Sequence, residues 1–241
     1  MNFRDMDIKC EYRSLIDDVV RQFYIPLLSQ SVKYQRAVGF FSSSILAQIA
    51  KGITGLVKNG GTMELVASPR LSMEDIEAIR TGYRKREQVV QDALFRELKP
   101  AGNRFDKERL NLLANLIANG ILDIKIAFLE NQSACGLYHE KMGLLIDSNG
   151  NKIAFSGSMN ETENAIMTNY ETIDVFRSWK GEDEQERVRI KENAFISIWN
   201  DCEPNIRIFD FPELKQEIID RYKVSKPNYD IDDTSFQVLE K

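Results

Sequence analysis

The residues best suited to chemistry are a histidine and a lysine two positions apart. His139 is the only histidine among 241 residues, and Lys141 follows it in a run that predicts a β-strand. Side chains alternate along a strand with a period of two, so both project from the same face. A neutral imidazole is a nucleophile, and an ammonium group beside it attracts anions. The pair therefore indicates attack on an anionic substrate such as a phosphate.

A β-hairpin is predicted to place further polar groups beside this pair. The Asn-Gly dipeptide at 149–150 favours a two-residue turn, which folds residues 151 to 155 back along the first strand. The second strand is followed by Ser158 and Asn160, where a helix is predicted to begin. Free N–H groups at a helix start attract anions. The histidine, the lysine and this turn are therefore expected at one end of a sheet.

The order and spacing of these residues resemble the HKD motif of the phospholipase D superfamily. His-x-Lys is followed by Gly-Ser-x-Asn and then by Asn-x-Glu, all between residues 139 and 171. Five residues separate Lys141 from Asp147, one more than is usual in the superfamily, and the spacing to Gly157 is also longer. The residues that match the motif are His139, Lys141, Gly157, Ser158 and Asn160, while Asn169 and Glu171 match the Asn-x-Glu that follows it and Asp147 stands one position beyond the usual aspartate.

The resemblance implies a role for each matching residue. His139 would form a phosphohistidine intermediate, and Lys141 would hold a non-bridging oxygen of the phosphate. Glu171 would accept a hydrogen bond from His139 Nδ1 and hold the ring tautomer. Without the resemblance, Glu171 is equally well interpreted as a surface carboxylate on a strand. Asp147 would complete the catalytic set. The substrate phosphate would be bound by Gly157, Ser158 and Asn160.

The single histidine has consequences for metals and for assembly. One histidine and three widely separated cysteines, Cys10, Cys135 and Cys202, lack the spacing of a zinc site, and no metal or cofactor is expected. The resemblance also implies metal independence. Superfamily chemistry uses two histidines, a nucleophile and a general acid, whereas this chain contains one. A homodimer that shares one active site is therefore expected, with His139 contributed by both copies.

The predicted fold class is α/β, a phospholipase D-like mixed sheet flanked by helices on both faces, with one HKD motif per chain. A strand–helix–strand pattern over residues 34–67 favours a βαβ unit with parallel strands. Apolar residues at helical spacing predict one helix over residues 11–29. Residues 1–224 are assigned to this domain. Residues 225–241 are interpreted as a linker or tail that leads to a further domain.

Charge and composition set limits on partners and location. The net charge of −5 does not indicate nucleic-acid binding, but a set of basic residues could form a local patch or, equally, solvated helix faces. No apolar run is long enough to span a membrane and no signal peptide is evident, so a cytoplasmic protein without membrane contact is expected. The basic residues are Lys33, Arg36, Lys51, Lys58, Arg70, Arg80, Arg84, Lys85 and Arg86.

The predicted function is a metal-independent phosphodiesterase, specifically a nuclease whose expected substrate is DNA rather than RNA. Residues 37–44 and the motif segments resemble the phospholipase D-like domain that precedes DEAD/DEAH-type helicase motors in bacterial defence and restriction systems. A helicase or ATPase domain C-terminal to this chain is therefore an expected partner. One alternative is a non-catalytic, dimerising nucleic-acid-binding module of a helicase or restriction system, for which His139 would be unnecessary. Another is a phospholipid hydrolase, which would need an apolar rim or an amphipathic membrane helix.

Overall fold

The computed structural model describes residues 2–39, 41, 44–68, 86–97, 104–129, 138–159, 169–210 and 212–227. Within them, eight strands form one mixed sheet. In chain order these are β1 (Glu11–Arg13), β2 (Ser31–Val38), β3 (Thr62–Ala67), β4 (Leu122–Leu129), β5 (Lys141–Asp147), β6 (Lys152–Gly157), β7 (Thr172–Arg177) and β8 (Ile206–Asp210). In space they lie in the order β1-β7-β6-β5-β2-β3-β4-β8. Strands β2, β3 and β4 are mutually parallel, and the remaining pairs are antiparallel, which confirms the predicted mixed α/β sheet.

Helices cover both faces of this sheet, as predicted. On one face, Leu27, Ile53 and Leu113 belong to the larger hydrophobic core. On the other face, Phe195 packs with Met142 in a smaller core. The helices are α1 (Ile25–Gln30), α2 (Ser44–Gln48), α3 (Ala50–Lys58), α4 (Arg86–Glu97), α5 (Arg104–Ala118), α6 (Glu182–Trp199) and α7 (Pro212–Tyr222). Helices α1, α3 and α5 therefore line the larger core, while α6 lines the smaller one.

Strand β2 lies in the middle of the sheet and is buried on both faces. Every residue from position 34 to 38 is buried, as expected for a strand that helices cover from both sides. Alternation sends Tyr34 and Val38 into the larger core and Ala37 into the smaller one. Arg36 lies between Tyr34 and Val38 in this alternation, so it shares their face. A charged side chain is thereby directed into the larger core.

The single helix predicted over residues 11–29 is wrong. Residues 11–13 instead form β1, which pairs antiparallel with β7, and a π-helical segment, Val20–Tyr24, leads into α1. Leu15 and Ile16, two of the apolar residues whose spacing suggested the helix, are 58% and 69% exposed. The edge of β7 offers backbone partners that a helix over these residues would leave unused. Sheet pairing therefore overrides the local helical pattern.

Two predicted segments lie outside the described residues. They are the helix predicted to begin at Asn160 and the tail beyond residue 227. The prediction that this tail leads to a further domain stays a prediction. Among the helices that the structure does describe, none is both long enough and apolar enough to cross a lipid bilayer.

Candidate active site

Several strand termini that carry predicted site residues meet at one end of the sheet. Strand β5 begins with Lys141, which pairs with Val38 at the end of antiparallel β2. Strand β6 is antiparallel to both β5 and β7, so β6 finishes and β7 begins at this same end of the sheet. The chain after β2 comes close to the histidine, since a Cβ atom on Gly39 would lie 3.1 Å from His139 Cδ2. The hairpin and its neighbours thus gather polar residues from distant parts of the chain.

His139 and Lys141 are in direct contact, as their spacing predicts. Lys141 Nζ lies 3.0 Å from His139 Nδ1 and also donates a hydrogen bond to the His139 carbonyl oxygen at 3.2 Å. The histidine is exposed, whereas Lys141 is only 8% exposed. A charged ammonium can only donate, so Nδ1 accepts from it and the proton of a neutral ring lies on Nε2. In this arrangement, Nε2–H is a hydrogen-bond donor on the side of the ring away from the lysine.

The surroundings of Lys141 make its charge easier to lose than that of a surface lysine. Burial is the largest cause, and it lowers the pKa of Lys141 because the ammonium form loses hydration. The Glu171 carboxylate opposes this change, the Arg36 guanidinium lowers the pKa of Lys141 further, and Glu140 raises it. The site therefore combines a buried titratable cation with a fixed cation and two carboxylates. An arriving phosphate anion would restore the stability of the charged lysine.

The turn after β6 is held tightly against β7. A Cβ atom on Gly157 would overlap with the Thr172 carbonyl oxygen, so only glycine fits at this position. The Ser158 N–H donates to Thr172 O at 3.0 Å, and the Thr172 N–H donates to Ser158 Oγ at 3.1 Å. Ser158 is exposed, and its hydroxyl hydrogen remains able to donate to a ligand. Asn160, the other predicted phosphate ligand, lies outside the described residues.

Glu171 lies directly before β7 and is fixed by a serine that sequence reasoning missed. Ser14, the residue after β1, accepts from the Glu171 N–H at 2.9 Å and donates its own N–H to the Glu171 carbonyl at 2.9 Å. The Ser14 hydroxyl also donates to Asn169 O, and Asn169 Nδ2 donates to Glu171 Oε1 at 3.3 Å. The Asn-x-Glu segment is thus anchored to the edge strand. A contact across 157 positions leaves no local signal in the sequence.

Asp147 does not lie with the other predicted catalytic residues. It ends β5, six residues after Lys141, which is about 20 Å of extended strand. Its carboxylate is 2% exposed and accepts from the N–H groups of Phe3, Asn149 and Asn151 at 2.9 Å each, and from Asn151 Nδ2 at 2.8 Å. The catalytic assignment is corrected accordingly. Asp147 holds the hairpin turn and the N-terminal segment together.

The basic patch considered from the sequence does not include Arg36. This side chain is 1% exposed and lies within the larger core, behind the site. Lys33, on the same strand, forms an ion pair with Glu64 at 2.9 Å, while Lys51 and Lys58 are exposed. Arg70, Arg80, Arg84 and Lys85 lie outside the described residues. One sequence signal could have predicted that Arg36 is buried: it occupies the position between Tyr34 and Val38 in the alternating pattern, where an apolar residue is expected.

No group of three or more histidine, cysteine, aspartate or glutamate side chains that could hold a metal ion occurs in the part of the chain that the structure describes.

Comparison with known proteins finds similarity among solved structures. No family model matches the chain, and no curated protein sequence matches it. NucT from Helicobacter pylori aligns with 13% identity and a TM-score of 0.48, covering 83% of this chain and 97% of NucT. Nuc from Salmonella typhimurium, a phospholipase D family member, aligns with 16% identity and a TM-score of 0.42, covering 79% and 91%. The phosphatidylserine synthase of Haemophilus influenzae Rd KW20 aligns with 13% identity and a TM-score of 0.45, covering 84% and 42%.

Proposed function

We propose that this chain is a phosphodiesterase of the phospholipase D type that cleaves DNA through a phosphohistidine intermediate without a metal ion. The observation that carries the proposal is the contact between the exposed His139 ring and the buried Lys141 ammonium, 3.0 Å apart. Ser158 and Glu171 flank the pair at the same sheet edge. An exposed nucleophile, a cation and hydrogen-bond donors at one end of the sheet suit attack on a phosphodiester.

The proposed reaction has two balanced steps. In the first, His139 Nε2 attacks phosphorus, the bond to the leaving oxygen breaks, and the imidazolium of a second histidine gives that oxygen its proton. In the second, water attacks the phosphohistidine, the N–P bond breaks, and the second imidazole takes the proton of the water. Lys141 neutralises a non-bridging oxygen in both transition states, and Ser158 donates a hydrogen bond to the phosphate.

The two histidine roles require two ring arrangements. A lysine that donates to Nδ1 leaves the proton of a neutral ring on Nε2, whereas the general acid is the imidazolium, which carries a proton on both nitrogens. A nucleophilic Nε2 needs the proton on Nδ1, and Glu171 would accept it after the ring turns. The two copies of His139 would therefore differ in form, one a neutral ring that attacks and the other an imidazolium that donates its proton.

The second histidine is proposed to come from a second copy of this chain, since the chain has only one. Such a dimer would place both copies of His139 in one cleft at the two-fold axis. Large apolar side chains are exposed at the same end of the sheet, on loops that β1 and β7 carry. Leu15, Ile16 and Tyr170 are 58%, 69% and 57% exposed. The second copy would remove this apolar surface from water.

These three exposed side chains, Leu15, Ile16 and Tyr170, form an apolar rim, which also favours a second candidate function with a phospholipid substrate. Leu15, Ile16 and Tyr170 would then contact acyl chains beside the headgroup phosphate. DNA remains the first proposal because the sequence segments resemble the nuclease-like domain that accompanies helicase motors. The chemistry at phosphorus is the same for both substrates, so a direct comparison of the two can decide between them.

The proposal is tested by substrate cleavage in EDTA. Wild-type protein is expected to cleave labelled single- or double-stranded DNA, and to retain label from the phosphate on protein quenched in alkali. His139→Ala should reduce cleavage to background and abolish the labelled intermediate. Asp174→Asn, which alters an exposed carboxylate on β7, is the matched control and should behave as wild type.

Three results would overturn or redirect the proposal. Cleavage that is lost in EDTA and restored by Mg²⁺ would contradict metal independence. Binding of DNA without cleavage, unaffected by His139→Ala, would favour the non-catalytic module. Headgroup release from phospholipid vesicles, with DNA left intact, would favour the phospholipid hydrolase.

A further inference from the structure

Arg36 occupies an unusual position for a charged residue, on the core-facing side of the central strand β2. It pairs with Gly143 of β5, while Lys141 pairs with Val38, two residues further along β2. Residues that are diagonal across antiparallel strands lie about 7–8 Å apart on one face, within reach of long side chains. Arg36 and Lys141 are therefore neighbours on one face of the sheet, with the lysine nearer the end that carries His139.

The guanidinium of Arg36 contacts the segment that carries Ser158. Arg36 Nη2 donates a hydrogen bond to the Met159 carbonyl oxygen at 2.7 Å, and the guanidinium lies 5.0 Å from the centre of the Phe155 ring. The Phe155 ring fits there because residue 143 is a glycine, since a Cβ atom at that position would overlap with the ring. Met159 itself is fully buried. One arginine thus connects β2, β6 and the turn that follows β6.

We propose that Arg36 is a positioning residue of the phosphodiester site, which fixes the Ser158–Met159 turn beside Lys141 and acts as a permanent cation behind that lysine. This inference rests on the proposed function, since it assigns Arg36 to the same site. It identifies a residue outside the HKD motif, 123 positions from the carbonyl group that it holds.

The hydrogen bond to Met159 determines where Ser158 lies. The turn is held on one side by the two bonds between Ser158 and Thr172, and on the other by Arg36. Without the arginine, the Met159 carbonyl would lose a charge-assisted bond inside the core, and the turn would shift to recover one. A displacement of about 1 Å in a positioning group can reduce the rate about 100-fold.

The charge of Arg36 acts on Lys141 and on the incoming phosphate. A guanidinium does not lose its proton in proteins, so this charge persists at all working pH values. It lowers the pKa of Lys141, in addition to the larger effect of burial, while Glu171 and Glu140 raise that pKa. His139 is the remaining titratable group in contact with the lysine. Because Arg36 lowers the pKa of Lys141 and Glu171 raises it, removal of the two charges should shift that pKa in opposite directions.

The main test variant is Arg36→Met, which removes charge and donors but keeps an apolar side chain of similar length beside Phe155. Replacement of a buried ionic group by a hydrophobic one of similar volume is often tolerated, so this variant is expected to fold. We expect kcat to fall about 100-fold, with a much smaller change in KM. Arg36→Lys, which keeps the charge and one donor, should recover much of kcat. Lys33→Met, on the same strand, is the matched control and should leave kcat unchanged.

The pH dependence separates this role from a general packing role. In Arg36→Met, the alkaline limb of the kcat/KM profile should move to higher pH, because the pKa of Lys141 rises when the neighbouring cation is removed. In Glu171→Gln, it should move to lower pH, because a neighbouring anion is removed. Arg36→Lys should keep the wild-type limb. A loss of packing alone would move neither limb.

A second measurement does not depend on catalysis. The pKa of Lys141 is followed by NMR of labelled lysine side chains, with its signal assigned by comparison with Lys141→Arg. If wild-type protein cleaves no phosphodiester but Arg36→Met raises the pKa of Lys141, the proposed function fails and the influence of Arg36 is still supported. If folded Arg36→Met keeps wild-type kcat and the wild-type pKa of Lys141, the inference is overturned.

Discussion

Lys141 differs from an ordinary surface lysine because it is buried while the histidine that it contacts is exposed. Burial lowers the pKa of Lys141, yet the Glu171 carboxylate favours its charged form. The lysine is therefore held ready for an anion rather than fully neutralised by the protein. A phosphate that replaces water at this edge gains a partner whose charge is poorly solvated, which strengthens their interaction.

At the residue scale, we predict that Lys141 controls the alkaline limb of activity. Wild-type activity should fall as pH rises through a value below the ordinary pKa of lysine, because the neutral amine no longer attracts phosphate. Lys141→Arg should retain measurable activity with this limb absent, since a guanidinium does not titrate in that range. Lys141→Ala should reduce kcat about 100- to 1,000-fold.

The pH–rate profile of each variant provides the measurement. Lys152→Arg on β6 is the matched control, because Lys152 forms an ion pair with Glu192 at 2.6 Å and should not influence the limb. A limb that persists unchanged in Lys141→Arg would assign the titration to another group.

Residues with a local signature could be predicted, and those with only long-range contacts could not. The alternation of His139 and Lys141 and the order of the motif placed both, together with Ser158 and Glu171, at one sheet edge. Arg36 and Ser14 were missed as contributors because their partners lie 123 and 155 to 157 positions away. Nothing within a window of sequence indicates which distant carbonyl a side chain will reach.

At the scale of elements, the β5–β6 hairpin carries most of the site, and Asp147 stabilises its turn. Its two carboxylate oxygens accept four hydrogen bonds, three from N–H groups and one from a side-chain amide. The Asn-Gly dipeptide predicted the turn, but sequence reasoning put Asp147 in the wrong role. The motif order suggested catalysis, whereas the continuous strand between Lys141 and Asp147 carries the carboxylate to the far end.

We predict that Asp147→Asn destabilises the fold but leaves the chemistry of the folded protein intact. The amide replaces one acceptor oxygen by a donor that faces other donors inside the protein. Loss of such charge-assisted bonds should lower the free energy of unfolding by about 2–4 kcal/mol. Urea denaturation provides the measurement, and kcat should be within about two-fold of wild type once corrected for the folded fraction.

Asp174→Asn is again the matched control, because this carboxylate is exposed on β7 and should change stability little. If Asp147→Asn is as stable as wild type yet inactive, the carboxylate acts in catalysis despite its distance from His139.

Residues 11–29 illustrate a limit of element prediction. The apolar spacing favoured a helix, but residues 11–13 instead pair with β7 and form β1, the outermost strand on that side of the sheet. Tyr12 is thereby buried at 2% exposure, while the following Leu15 and Ile16 remain exposed. This pairing depends on a strand 160 positions later, so no local pattern could reveal it. It also fixes Ser14, and through it Glu171, at the site.

At the scale of the whole molecule, the sheet order gathers the candidate site residues at one end of the sheet. The apolar side chains at positions 15, 16 and 170 border it. Each chain offers one imidazole, which can attack or donate a proton but cannot do both in the same step. A cleft shared by two copies would supply the second imidazole and cover the apolar rim.

Mixed dimers test the shared cleft directly. We predict that a dimer of one wild-type chain and one His139→Ala chain, isolated with two different affinity tags, has nearly as little activity as the double variant. One remaining imidazole cannot serve as both nucleophile and general acid, so the losses are not additive. Light scattering should first show that wild-type protein is a dimer at assay concentration.

The matched control is a mixed dimer of wild-type and Asp174→Asn chains with the same tags, which should have full activity. If the His139→Ala mixed dimer keeps about half of the wild-type activity, each chain works alone. Lys141 would then be the candidate for protonating the leaving oxygen, since its Nζ is 3.0 Å from His139 Nδ1 and burial lowers its pKa. A strictly monomeric, fully active wild type would lead to the same conclusion, and it would assign the exposed Leu15, Ile16 and Tyr170 to substrate rather than to a second copy.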